Sequence, residues 1–267
     1  MLAVHDLDAA GALWQRLGFR VGARNRHPWG TENRLVQFPG SFIELITVGD
    51  AAAIPAHAPG RFSFGAFVRD HLARREGLAM LVLDSADAQA DAARFARLGI
   101  GDFAPFPFAR AARRPDGSET RVAFTLAFAM DPALPGAGFF TCQQHHPENF
   151  WNPDFQLHPN GATGLAEVVL GVPDPGAHAG FLAGFCDTPA QARDGGGLVF
   201  ALAAGGRLAV VPRPGPGLLE GLAVTLPDPD RQAARLREAG IAFTGTSDGS
   251  LLVPDLSGTA LTFAAPD

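Results

Sequence analysis

The residues best able to do chemistry cluster in "FFTCQQHHPENFW", Phe139 to Trp151, an apolar run that ends in Gln, Gln, His, His before Pro147. Period-two alternation puts Phe140, Cys142, Gln144 and His146 on one strand face, and Thr141, Gln143 and His145 on the other. Cys142 could be a nucleophile or a soft ligand; a lone Cys on an apolar strand is more often a small core residue. Gln144 and Trp151 are candidates for contacting a ligand, and the two histidines are either acid–base groups or a polar strand end. Far upstream, Glu44 sits in "FIELI", where a buried carboxylate is costly unless paired, protonated or metal-bound. Phe42 and Ile46 share its face and argue for burial; the alternative is an exposed edge. His27 and Asn33 flank the turn "PWGT" and could grip a carbonyl or carboxylate. Arg110 and Arg121 border a Pro/Gly/Arg-rich stretch, where one fork-shaped guanidinium could hold an anion or both could be solvated.

Composition narrows the chemistry. All 21 basic residues are Arg, so no lysine is present for Schiff-base or Walker-type phosphate chemistry, and there is no Tyr. His, Asp, Glu and Cys remain as acid–base groups. A net charge of −6 without a basic run argues against nucleic acid and anionic membranes as partners. The two cysteines form no framework, and neither a leader segment nor a membrane-length apolar run is read, so a cytoplasmic protein with a small-molecule ligand is expected.

Positioning these groups falls to one pattern found four times: strand, acidic helix start, helix, Gly plus a large apolar residue. The copies are "LAVHDLDAAGALWQRLGF", "LVLDSADAQADAARFARLGI", "VVLGVPDPGAHAGFLAGF" and "VTLPDPDRQAARLREAGI". Asp8, Asp87, Asp174 and Asp228 can cap or occupy the first turn. Gly18, Gly99, Gly184 and Gly240 can end the helices, with Phe19, Ile100, Phe185 and Ile241 opening the next extended segment. Each copy finishes in a Gly-containing hairpin, giving β-α-β-β-β. The fold class is therefore α+β, built of two pairs of such modules. The first spans residues 1–155 and the second 160–267, with the polar stretch Asn152 to Thr163 as linker.

Four βαβββ units paired two by two resemble the vicinal oxygen chelate superfamily. The first half is similar to its "glyoxalase-like domain" members through "HPWGTEN", "FIELI" and "CQQHHPENFW" running on to "HPNGA". The resemblance implies two half-barrels and a site in the front one. In that family metal ligands lie on the first and last strands of each module. Four residues past each hairpin glycine are Glu44, Cys142, Val210 and Thr262, and only the first is a carboxylate. The first-strand position of module one would fall before Met1, and that of module two near Leu78. The resemblance thus implies a lyase- or isomerase-type conversion of a small carbonyl or aromatic acid. Its site would use Glu44, His145 or His146 and Arg110, with Glu44 the candidate ligand if zinc, nickel, manganese or iron binds. The rear pair is expected to be apolar and structural. Non-catalytic sequestration is the rival reading and ring-cleaving dioxygenation a weaker one. Two chains could pair across open sheet edges.

Overall fold

A computed structural model describes residues 1–113, 117–203 and 205–266. Module one is β1 (Leu2–Ala3), α1 (Leu7–Arg16), β2 (Asn25–Arg26), β3 (Thr31–Phe38) and β4 (Ser41–Val48). An insert then supplies α2 (Phe64–Leu72) and β5 (Gly77–Leu78). Module two is β6 (Met80–Ser85), α3 (Ala88–Leu98), β7 (Phe106–Arg113), β8 (Glu119–Ala129) and β9 (Gly138–Gln144), followed by the short α4 (Pro147–Phe150). Module three is β10 (Gly164–Val172), α5 (Ala179–Cys186), β11 (Gln191–Arg193), β12 (Gly197–Ala201) and β13 (Arg207–Pro212). Module four is β14 (Leu218–Thr225), α6 (Pro229–Glu238), β15 (Thr244–Gly245), β16 (Leu251–Val253) and β17 (Ala260–Ala264).

The rear modules form one sheet in the order β11-β12-β13-β10-β14-β17-β16-β15. The front runs β2-β3-β4-β1-β5 and β6-β9-β8-β7. These are the same path, because β5 and β6 together do what β14 does alone. Ala79 sits between them, its N–H donating to Met1 O and its carbonyl accepting from Gly138 N. In all four modules the first strand runs parallel to the last. Each half is thus a curved half-barrel; among the described residues neither closes fully. Helices α1, α3, α5 and α6 pack between the halves, and one apolar core runs from Leu2 and Trp14 through Phe95 and Phe185 to Phe263.

The helix signals work as chemistry, with two adjustments. Asp87 accepts from Gln89 N and Ala90 N, and Asp228 from Arg231 N. At α1 the cap is Asp6, which accepts from Asp8 N and Ala9 N, and Asp8 lies in the first turn, where a negative charge meets the helix dipole. Gly184 does not end its helix. It lies inside α5, which stops at Asp187 with φ 54, and Phe185 is buried in the helix rather than opening a strand. A Cβ at Gly184 would meet methyls of Leu98 and Ile100 at 3.1 and 3.2 Å, so this glycine lets α5 approach the end of α3.

The rear half departs from expectation. Its turn glycine is Gly205, with φ 88, so counting from Gly206 slips by one residue. Val210 faces the helix core, and Ala209 takes the concave position. Nor is that face wholly apolar: Glu167 pairs with Arg193 and Arg207, and Glu220 with Arg213. The stretch read as a linker is pinned in place. His158 Nδ1 accepts from Arg20 N (3.0 Å) and Nε2–H donates to Gln37 O (2.8 Å). Asn160 donates to Leu17 O and accepts from Ala162 N, both at 3.0 Å. Its backbone N–H reaches Gly18 O, and only a residue without a Cβ at position 18 admits so close a crossing: one built there would stand 2.8 Å from the Asn160 side chain. Among the described residues no helix is long and apolar enough to cross a membrane.

Candidate functional site

The concave face of the front half-barrel encloses a cavity of about 550 Å³, measured out to its solvent mouth. Alternation decides its lining. β3 contributes Asn33 and Leu35, β4 Phe42 and Glu44, β7 Phe108 and Arg110, β8 Phe124 and Leu126, and β9 Phe140 and Cys142. Val82 from β6, Phe64 from α2, Phe150 from α4 and the turn residues His27 and Trp29 complete it. The two edges of the half-barrel meet through rings: Trp29 contacts Phe106 and Phe108 at centroid distances of 5.1 and 4.8 Å and stacks on His27 at 4.7 Å.

Among the described residues, Glu44 is the sole carboxylate of the lining. Asn33 Nδ2 donates to its Oε1 at 2.5 Å, and Asn33 Oδ1 accepts from Asn25 Nδ2 at 2.9 Å, which fixes the amide's orientation. The second Asn33 hydrogen points at His27 Nε2, 3.4 Å away, so that nitrogen is the acceptor and Nδ1–H donates to Thr31 Oγ1 at 2.8 Å. Burial pulls the His27 imidazole down to about 4, helped by nearby Arg110, so it is neutral at physiological pH. Burial pushes the Glu44 carboxyl upward, opposed by the Asn33 hydrogen bond, then by the nearby Met1 amino group and by Arg110. Glu44 Oε2 has no hydrogen-bond partner among the described residues. Burial, followed by the nearby Glu44 and Asp84 charges, raises the Cys142 thiol to about 12, so it is not a free thiolate nucleophile at neutral pH. Arg110 carries the cavity's positive charge. Its hydrogen bond among the described residues is a long one, Nη1 to Ala111 O at 3.4 Å, which leaves most of its N–H donors unspent.

Of the residues singled out in the sequence, Glu44, His27, Asn33, Arg110 and Cys142 meet in this cavity. His145 and His146 do not. β9 ends at Gln144; His145 follows on the far face, its ring on Thr125 Oγ1 at 2.8 Å, and His146 is exposed beside Glu148. Gln143, on that same face, is spent on the start of α3, accepting from Ala88 N and donating to Ala86 O. Gln144 lies beyond the lining with its Oε1 buried and unpartnered, and Trp151 stands behind Phe42 and Phe150, 6.0 and 4.9 Å away. Arg121 is not in the lining, and Arg114 to Asp116 of the insert lie outside the described residues. Leu78 belongs to β5 and the shared core; the first-strand residue facing the cavity in module two is Val82. The aromatic wall and α2 were not anticipated. Phe64, Val68 and Leu72 repeat at helical spacing after the cap Ser63, a signal present in the chain but overshadowed by the Pro- and Ala-rich run before it.

A divalent metal fits this donor set poorly. Among the described residues no three His, Cys, Asp or Glu side chains group to hold one. Glu44 Oε1 already accepts an Asn33 amide hydrogen, both His27 nitrogens are engaged, and Arg110 brings positive charge into the same space.

Paired βαβββ half-barrels around an aromatic cup with one internal acid define a protein of the vicinal oxygen chelate fold. A family model described as a glyoxalase-like domain matches residues 1–186, and the chain belongs to that family. No curated protein matches the sequence. Among solved structures, a hypothetical protein from Staphylococcus aureus is similar at TM-score 0.73 and 11% identity, covering 99% of this chain and 97% of that one. A mutant 4-hydroxymandelate synthase from Streptomyces coelicolor is similar at TM-score 0.60 and 13% identity, covering 99% and 90%. A xylose isomerase-like TIM barrel/4-hydroxyphenylpyruvate dioxygenase fusion protein is similar at TM-score 0.55 and 14% identity, covering 100% of this chain and 48% of that one. At these identities the likeness concerns the fold.

Proposed function

We propose that the front cup binds a small carbonyl-bearing acid with an apolar or aromatic body, and that Glu44 moves a proton on it. The observation that carries this reading is a single internal carboxylate, raised by burial, in a ring-lined cavity shared with an arginine rich in unspent donors. Burial raises the carboxylate's affinity for a proton, which strengthens it as a base toward an acidic C–H. The rings desolvate the ligand's body, and Arg110 receives its carboxylate in fork geometry. Glu44 Oε2 then takes a proton from the carbon beside the carbonyl; the electron pair moves onto the carbonyl oxygen, and the protonated acid returns the proton. Asn33 holds the carboxylate in place throughout. Such an exchange is the half-reaction shared by isomerases and lyases of carbonyl acids.

A second reading, binding without turnover, is favoured by a specific fact: His27 is occupied on both nitrogens, and His145 and His146 lie outside the cup, so none of these three histidines serves Glu44 as a second acid–base group. A panel of small 2-oxo acids, screened by thermal shift and then followed by NMR in D2O, separates the two. Proton exchange on a bound acid should run about 100-fold or more faster with the wild type than with Glu44→Gln. Equal rates in the two proteins would leave binding alone, and the absence of any stabilising acid would remove the cup as a site.

A further inference from the structure

We infer that the ligand's anionic group is met by Arg110 itself and that no divalent metal takes part in holding it. This deepens the reading above and rests on the front cup being the ligand site. The fold would supply metal ligands from the first and last strands of modules one and two. Here the last-strand positions hold Glu44 and Cys142, and the cavity-facing first-strand residue of module two is Val82. A cation bound at Glu44 Oε1 would face the hydrogens of Asn33 Nδ2, whose orientation Asn25 locks, so it would have to break that chain of amides. It would also share a ring-walled space with a guanidinium, where poor screening magnifies repulsion between like charges.

Arg110 has the opposite need. It lines the cavity from β7 alongside the stacked rings of Phe108 and Phe124, and a half-buried guanidinium whose hydrogen bonding amounts to one long contact gains from a bidentate anion. Arg110 and Glu44 reach the same cavity from β7 and β4, so a ligand whose carboxylate docks on Arg110 presents its uncharged body to the space that Glu44 lines.

The test uses benzoate and phenylacetate as acid probes, and benzamide and phenylacetamide as neutral partners of the same shape. Binding to the full chain is measured by calorimetry before and after EDTA dialysis. The acids should bind at least about tenfold more tightly than the amides, with no change after EDTA. Arg110→Met should lose that preference while still binding amides, and Arg110→Lys should keep part of it. Metal titrations with zinc, nickel, manganese and iron(II) should show no stoichiometric site. One metal per chain that disappears in Glu44→Gln, acid binding that EDTA abolishes and metal restores, or acids and amides binding the wild type equally would each overturn the inference while leaving the cup as the ligand site. The acid–amide comparison on the wild type stands even if Arg110→Met fails to fold. If no probe of either kind binds, the cup reading itself falls.

Discussion

His158 opens "HPNGA", one of the segments through which the chain resembles its family, yet its contacts assign it to architecture. The perturbation is His158→Ala. The imidazole is 8% exposed, and it bridges Arg20 N–H and Gln37 C=O while its edge packs against Phe19 and Phe38 at 5.4 and 4.8 Å. Truncation strands two buried backbone groups at about 1–3 kcal/mol each and opens a void between two phenyl rings. A loss of about 3–5 kcal/mol follows, which for a chain of this size lowers the melting temperature by roughly 6–15 °C. Nε2 donates and Nδ1 accepts, so the folded state needs the neutral ring, and burial lowers its pKa below the ordinary 6.5. A group with a depressed folded-state pKa contributes stability that is complete above its unfolded value and is lost as pH falls through the folded one. The wild type should therefore lose stability on acidification below about pH 6.5, and the variant should lose less over that range. Urea denaturation at several pH values reads both effects. A variant as stable as the wild type but impaired in ligand binding would refute the architectural assignment and return this segment to the site.

Further outcomes are open to direct measurement. His71 is 1% exposed and burial lowers it from 6.5 to about 4, so the same sign applies: it contributes up to about 3 kcal/mol at neutral pH, lost between pH 6.5 and 4, and His71→Gln should flatten that limb of the stability profile. Cys142 and Cys186, both raised to about 12 by burial, should react with iodoacetamide at pH 8 at least about tenfold more slowly than a free thiol; ordinary rates would contradict the burial of Cys142 in the cup. Gly184→Leu should cost about 1–3 kcal/mol by forcing α5 away from Leu98 and Ile100, while Gly184→Ala should be close to neutral because Leu98 is 53% exposed and can shift. Asp87→Ala should cost about 1 kcal/mol through the two amides it leaves uncapped; a loss above roughly 3 kcal/mol would mean that Asp87 does more than cap α3.

The sequence by itself determined the modules, the helix starts and the acid inside the front half. Helix caps and alternation act over a few neighbours, so Asp87, Asp228 and the inward face of "FIELI" follow from local spacing. So does the cavity-facing run of Phe140 and Cys142, up to the point where β9 ends. The tertiary structure alone decided which polar groups share the cavity. Asn33 and Glu44 meet across one hairpin, whereas Arg110 comes from a strand of the next module, and only the register of the half-barrel brings it to them. His145 and His146 carried the same chemical promise, but one lies on the strand's other face and the next falls after the strand has stopped. The linker motif shows the same division: its residue types were legible, whereas their use on Arg20, Gln37 and Leu17 depends on a backbone crossing at Gly18 that no local pattern encodes. Propensity is read along the chain, but a site is assembled across it, where strand register and the close approach of distant segments set which groups meet.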